Sequence, residues 1–311
     1  MTTKCGYIGL LGQVNAGKST LLNACVGQKI TGVSAKPNTT RNEILGISMV
    51  DESQLLFVDT PGLFDKIKKA FTAHRLGEKI AEVPYRLASE VDVLCYLIDI
   101  EKGLDETDKE LLLGLRKLAS APLHLVITKC DTLKKAEVAE RVAQITDTLK
   151  EMTELANAQI LARAPFVLSA KLRGDVASFK DALALLMPEG PFLFDPEDLT
   201  NRPMNFVVAE LIREHVFRRL AQEIPFTTSV HVTSFQESKE RAEITADLIV
   251  NKSSHKPILI GKGGEAIKRI GIAARESLEN FLGKKVRLDL NVVVKENWVD
   301  NTSLIQQFQG L

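Results

Sequence analysis

From Lys4 to about Met187, short apolar runs alternate with longer segments whose apolar residues recur at helical spacing. The runs Gly6 to Leu11, Ile44 to Val50, Leu55 to Val58, Val91 to Ile98, Leu123 to Thr128 and Phe166 to Leu168 predict strands. Several are rich in Val, Ile and Leu without polar alternation, as expected of strands covered on both faces, so the pattern predicts an α/β domain with a doubly wound, mostly parallel sheet. Between Pro188 and Pro203 the periodicity lapses into Pro188-Glu189-Gly190-Pro191 and Asp195-Pro196-Glu197-Asp198, which suits a connection better than an element interior. Beyond it the pattern predicts an amphipathic helix around Met204 to Gln222, strands near Phe226 to Phe235 and Arg241 to Val250, and the apolar triplet Ile258-Leu259-Ile260. A Gly-rich loop, a helix to about Leu282 and a strand from Val286 to Val294 follow. The expected organisation is an α/β domain over 1–188, a linker over 189–202, a smaller α+β domain over 203–298, and a polar tail over 299–311 that frays.

Composition narrows the function classes. Lys plus Arg and Asp plus Glu both total 40, so whole-chain charge predicts no polyanionic partner, and any such partner must meet a local patch. Cys5, Cys25, Cys95 and Cys130 are far apart with no CxxC pair, which argues against a sequence-local zinc site or a disulfide framework and favours a reducing cytoplasm. Gly9 and Gly12 interrupt the first apolar stretch, so it lacks a signal-peptide core. No run approaches the roughly 20 apolar residues that span a bilayer.

The first strand leads into Gly12-Gln13-Val14-Asn15-Ala16-Gly17-Lys18-Ser19, a full match to GxxxxGK[ST], with a helical segment from Ser19 to Cys25 behind it. Phosphate binding needs successive backbone N–H groups that only a Gly-rich turn can aim inward. It also needs a lysine for the β and γ phosphates and a hydroxyl for Mg²⁺. Gly12, Gly17, Lys18 and Ser19 supply these, and Asn15, Ala16 and Thr20 complete the candidate contact set.

Three weaker markers follow in order, each at a strand end. Asp59-Thr60-Pro61-Gly62 offers a carboxylate for Mg²⁺ and, at Gly62, an amide that can sense the γ-phosphate; alone it is ordinary turn chemistry. Thr128-Lys129-Cys130-Asp131 puts a carboxylate at the sheet's carboxyl edge, where open α/β sheets bind ligands. Guanine presents two adjacent donors that Asp131 can accept together, whereas adenine leaves that carboxylate unpaired, so Asp131 predicts GTP over ATP. Ser169-Ala170-Lys171 can turn the Ala170 amide toward the base. Four ordered matches on one sheet resemble the guanine-nucleotide motifs of small GTPases.

The loop before the second strand holds Pro37-Asn38-Thr39-Thr40-Arg41, which resembles the TTR switch segment of the Era/TrmE group of GTPases. The resemblance implies that Thr40 joins Ser19 and Asp59 at Mg²⁺ and orders the loop with GTP. It also implies that Lys18, Thr40 and Gly62 carry the catalytic stabilisation, and that Asn15 marks members using K⁺ beside the phosphates. Leu63 stands where Ras-like enzymes place a water-orienting glutamine, so slow intrinsic hydrolysis is expected. One departure is plain: the group's NKxD pattern reads Thr128-Lys129-Cys130-Asp131 here. Threonine is shorter and lacks the amide, so a hydrogen bond that buttresses the loop or reaches the base is expected to be lost, at about 1 kcal/mol and with weaker nucleotide binding.

The segment Ile260-Gly261-Lys262-Gly263-Gly264 through Lys268 and Ile270 resembles the IGxxGxxI core of a KH domain. The order of predicted elements around it resembles the type II arrangement at the C-terminus of Era-type GTPases. The resemblance implies RNA contact by Ile260, Gly261, Lys262, Gly263, Gly264 and Lys268, because glycines let a sugar-phosphate backbone approach closely. Between Lys252 and Arg287 nine Lys or Arg face three acids, so a neutral chain holds a local basic segment. The family implies GTP-dependent binding to 16S ribosomal RNA near its 3′ end during 30S subunit assembly, by a cytoplasmic monomer. Peripheral association with the inner face of the cell membrane is left open. Two alternatives stay open: a GTPase whose KH-like domain meets a protein or membrane surface, and a non-hydrolysing RNA-binding assembly factor. The charged run Asp65-Lys66-Ile67-Lys68-Lys69 is expected to be solvated.

Overall fold

The computed structural model describes residues 2–33, 43–61, 86–118, 121–156, 164–220 and 224–309. They form two compact units: 2–28, 43–61, 86–118, 121–156 and 164–201 in the first, and 29–33, 202–220 and 224–309 in the second.

The first unit runs β1 (Lys4–Gly12), α1 (Lys18–Val26), β2 (Ile44–Val50), β3 (Ser53–Asp59), β4 (Val93–Asp99), α2 (Glu106–Leu118), β5 (Leu123–Thr128), α3 (Lys135–Ala156), β6 (Phe166–Val167) and α4 (Arg173–Ala184). The sheet order is β2-β3-β1-β4-β5-β6; every pairing is parallel except that of β2 with β3. β1 is central, flanked by β3 and β4, so the chain leaves it where strand order diverges, the usual place for a ligand crevice. Ile8, Leu10, Leu94, Leu97, Leu125 and Ile127 are fully buried, as the unalternating apolar runs require.

The segment expected to be a linker lies along this unit instead. The amide of Cys5 donates to the Pro188 carbonyl, that of Gly190 to Thr3, and that of Ile47 to Leu199. Gln54, fully buried, accepts the amides of Leu193 at 2.9 Å and Phe194 at 3.1 Å on Oε1 and donates from Nε2 to the Phe194 carbonyl at 2.8 Å. One side-chain amide thus satisfies three backbone groups of a Pro-rich stretch that cannot pair as a regular strand. Composition alone could not reveal that partner.

The second unit contains α5 (Met204–Arg219), β7 (Thr228–Glu237), β8 (Arg241–Val250), α6 (His255–Ile260), α7 (Glu265–Leu282), β9 (Lys285–Val294) and α8 (Thr302–Gln309). The sheet is β7-β8-β9, with β8 antiparallel to β7 and parallel to β9. The triplet Ile258-Leu259-Ile260 is helical, because α6 turns directly into the glycine loop. The tail expected to fray carries α8, whose Ile305 is fully buried against Ile249, Trp298 and Val299. Its apolar residues are few, and they all face one cluster.

Candidate functional site

β1 ends at Gly12, and the loop to α1 turns on backbone conformations that favour glycine: φ is 139° at Gly12 and 98° at Gly17. A Cβ at Gly12 would also lie 2.5 Å from the Leu97 carbonyl oxygen on β4, so no side chain fits there. Lys18, at the start of α1, is buried and donates to the carbonyls of Gly12 and Gln13, each at 2.9 Å. Burial pulls its ammonium down to about 8, and the Asp59 carboxylate partly opposes this. Ser19 Oγ donates to Asp59 Oδ2 at 2.6 Å, and Thr60 Oγ1 donates to the Leu10 carbonyl at 2.9 Å, fixing the end of β3 beside the loop. A serine hydroxyl facing an aspartate carboxylate is the hard oxygen chemistry that Mg²⁺ takes, so Ser19 and Asp59 fit the ion. Ala16 is buried in the loop, Asn15 holds a φ of 65°, and Thr20 is the third residue of α1.

The base-reading candidates gather at the ends of β5 and β6. Asp131 accepts from Ser169 Oγ at 2.6 Å and from Lys171 Nζ at 2.7 Å. The bond from the Lys171 ammonium, followed by that from Ser169, holds its carboxyl below the usual range. Ser169 is itself fixed, its amide donating to Asp175 Oδ2 at 2.8 Å. Thus Asp131, Ser169 and Lys171 come together at one sheet edge, with the Asp131 carboxylate favoured in its ionised form.

The expectation that Thr128 loses the loop buttress is corrected. Its hydroxyl lies 2.7 Å from the Ala16 carbonyl of the phosphate loop and 3.1 Å from that of Ile98. The side chain is short, but β5 and the loop run close enough for a hydroxyl to bridge them. Sequence reasoning missed Asp99, at the end of β4, whose Oδ2 takes the Lys129 ammonium at 2.7 Å. The signal was available: a carboxylate closing a buried strand on the same edge. It also missed Asp105 Oδ1, which accepts Gln13 Nε2 at 2.7 Å and ties the phosphate loop to the start of α2. Among the described residues there is no further His, Cys, Asp or Glu cluster suited to a metal. Thr40 with its TTR segment, Gly62, Leu63 and the run 65–69 lie outside the described residues.

In the second unit, Gly261, Gly263 and Gly264 have φ of 75°, 59° and 80°, and α7 begins immediately after them at Glu265. A Cβ at Gly261 would meet the Ala266 amide at 2.8 Å, whereas one at Gly263 or Gly264 meets nothing within 4 Å. The first glycine is therefore required by packing and the others by backbone conformation, leaving an open surface. Lys262 and Lys268 are exposed beside it, and Ile260 is half-buried against the core.

A glycine-rich loop with a buried lysine on the central strand, a carboxylate at the same sheet edge and an αββααβ unit with a glycine loop are the architecture of a GTPase joined to a KH module. Residues 7–129 match the family described as 50S ribosome-binding GTPase, and residues 223–299 match the KH domain. The chain is 38% identical to GTPase Era of Coxiella burnetii over 98% of this chain and 97% of that protein. It is 36% identical to GTPase Era of a Thermoanaerobacter species, over 99% and 96%. The fold superposes on a variant of Aquifex aeolicus Era bound to GDP and aluminium tetrafluoride with a TM-score of 0.85 at 29% identity, covering 99% of each chain. A structure of Era with MgGDPNP and nucleotides 1506–1542 of 16S ribosomal RNA gives 0.86 at 30% identity, with 99% coverage of each. The chain belongs to the Era family and is a GTPase.

Proposed function

We propose that the chain binds small-subunit ribosomal RNA near its 3′ end through Gly261 to Gly264 and that GTP governs this contact during 30S assembly. The observation that carries the reading is the glycine loop itself, three glycines with positive φ opening onto α7 between exposed lysines. Such a loop admits a sugar-phosphate backbone at close range, with the helix N-terminus favouring its charge. A relative holding a 16S fragment alongside a magnesium nucleotide supports the same pairing of ligands. The double variant Lys262→Asp plus Gly263→Asp puts two carboxylates at the loop. Loss of binding to a 16S 3′-end oligonucleotide with GTP binding retained is the expected result; unchanged RNA binding would return the module to a protein or membrane-surface partner.

At the other site, Ser19, Thr40 and Asp59 would hold Mg²⁺, which when bound would supply positive charge beside the transferring phosphoryl group; Lys18 would stabilise the same charge, and the Gly62 amide would sense the γ-phosphate. Asn15, in its left-handed conformation within the loop, would hold K⁺ beside the phosphates. Hydrolysis at matched ionic strength is then faster in KCl than in NaCl, and equal rates remove K⁺ from the proposal. No helix among the described residues is long and apolar enough to cross a membrane. The reading is of a monomer acting in the cytoplasm, where its RNA partner is.

A further inference from the structure

β4 and α2 brace the glycine-rich loop between β1 and α1 at two successive residues. Gly12 pairs with Leu97 of β4, whose carbonyl oxygen would lie 2.5 Å from a Cβ added there, so the strand fixes the first residue of the loop. Gln13, the second, carries the turn: its carbonyl accepts the Ala16 amide at 3.3 Å and the Lys18 ammonium at 2.9 Å. The side chain of Gln13 leaves the loop altogether. Its Nε2 donates to Asp105 Oδ1 at 2.7 Å, 92 positions away.

Asp105 is itself held in place. It occupies the cap position of α2, where its Oδ1 accepts the Asp108 amide at 2.9 Å while its own amide donates to Asp108 Oδ2 at 3.3 Å, a reciprocal cap built from two carboxylates. Asp108 is 5% exposed, and the hydroxyl of Tyr96, fully buried on β4, donates to its Oδ1 at 2.6 Å. Tyr96, Asp108, Asp105 and Gln13 thus form a hydrogen-bonded path from the strand, through the helix cap, back to the loop. Burial works against ionisation of Asp105, but the Gln13 bond and those of the cap outweigh it and hold its carboxyl below the usual range. An ionised acceptor strengthens the bond from Gln13.

A helix cap needs only a short acceptor, and Ser or Asn would serve α2 as well as Asp. The reach from Asp105 to Gln13 is a property that the cap does not require. We propose that Asp105 is a positioning residue of the GTPase: acting through the Gln13 side-chain amide, it holds the Gln13 carbonyl where that carbonyl keeps Lys18 in the loop, so that the loop meets the nucleotide already shaped. The proposal rests on the reading that this loop takes the phosphates, and it is independent of the RNA partner. A loop ordered beforehand loses less freedom on binding, so the device acts on affinity. Because it serves substrate and transition state alike, it leaves kcat in place. The bond is exposed to solvent, which keeps its effect modest.

The experiment compares GDP release, and KM and kcat for GTP, in the full chain and its variants. Asp105→Ser keeps a capping oxygen but is too short to meet Gln13; Gln13→Leu keeps the side-chain bulk and removes the donor. Each is expected to speed GDP release and raise KM about fivefold, with kcat within about twofold of the parent. The double variant is expected to lose no more than either single change, because both remove the same bond. Asp105→Asn, which retains a cap and an acceptor oxygen, is expected to return release to within about twofold of the parent. Parental release from Gln13→Leu overturns the proposal whatever happens to α2, and so does a double variant whose effect is the product of the two singles. A fall in kcat with KM unchanged overturns it as well, since positioning of the loop acts before the chemical step. If Lys18→Ala leaves GDP affinity intact, the phosphate reading of the loop fails and takes the proposal with it. If Lys18→Ala abolishes GDP binding while the Asp105 and Gln13 variants bind like the parent, the proposal alone fails.

Discussion

The hydroxyl of Thr128 lies 2.7 Å from the carbonyl oxygen of Ala16, joining the end of β5 to the glycine-rich loop between β1 and α1. Thr128 is 2% exposed and Ala16 3%, so water cannot replace the bond if it is lost. Thr128→Val keeps the shape and removes the donor. An unsatisfied buried carbonyl costs about 1–3 kcal/mol, so GDP binding should weaken about tenfold, mostly through faster release. Thr128→Ser should restore parental affinity to within about twofold, since it returns the hydroxyl. Stopped-flow release of a fluorescent GDP analogue checks both; identical release from the valine variant contradicts the tie.

Lys18 makes nucleotide binding depend on pH in a calculable direction. Burial lowers it to about 8, and a phosphate beside the ammonium favours the charged form and raises it again. At pH 7 the group is charged in both states and binding moves no proton. Above pH 8 the free site has lost the proton that the complex retains, so binding takes one up, and affinity falls by up to about tenfold per unit. Calorimetry of GDP binding between about pH 7.5 and 9, in two buffers of different ionisation enthalpy, should read an uptake that grows with pH. A pH-independent heat difference contradicts the assignment.

The pair of bonds on Asp131 predicts the outcome of changing its chemistry. Asp131→Asn replaces an acceptor-only carboxylate with an amide, which cannot accept both guanine donors but can donate to the oxygen that xanthine carries instead. GTP affinity should fall about 100-fold and XTP affinity rise, because a site built for one donor pattern leaves buried groups unpaired with another. Lys171→Ala is a milder change: it removes the largest influence lowering the Asp131 pKa, so the midpoint for loss of GDP binding on acidification should move up. The sign follows because binding needs the ionised carboxylate, and less acid then suffices to protonate it. A titration of GDP affinity from neutral to acid pH in parent and variant measures the shift; superimposable curves refute it.

The sheet and the phosphate loop were legible because their signals are local. Apolar runs at Ile8 to Leu11 and Leu123 to Ile127 sit on covered strands, and the glycines at 12 and 17 answer to conformations that few other residues adopt. What escaped were partners distant in sequence. Gln54 reads as an ordinary polar residue in a strand until the segment around Phe194 is folded against it. Asp99 and Lys129 are 30 positions apart, and only adjacent parallel strands bring their ends together. Glu210 and Glu214 of α5 are buried because residues 29–33 pack on them, which nothing in the helix's own periodicity announces.

The C-terminal helix offers the last test, and it concerns stability more than chemistry. Ile305 is fully buried with Trp298 and Val299, Phe308 packs against the Trp298 ring edge-on at 6.1 Å between centroids, and Trp298 Nε1 donates to the Thr227 carbonyl at 2.9 Å. Thr227 precedes β7, so α8 closes one edge of the three-stranded sheet. Ile305→Ala removes three carbons from a filled site and should cost about 2–5 kcal/mol, whereas Ser303→Ala, on the exposed side, should cost under about 0.5. Urea unfolding of the full chain, followed by the fluorescence of its only tryptophan, reports on this cluster directly. GDP affinity should be unaffected in both variants, because the nucleotide loop belongs to the other unit. Equal midpoints for Ile305→Ala and parent would mean that α8 contributes nothing to the fold it covers.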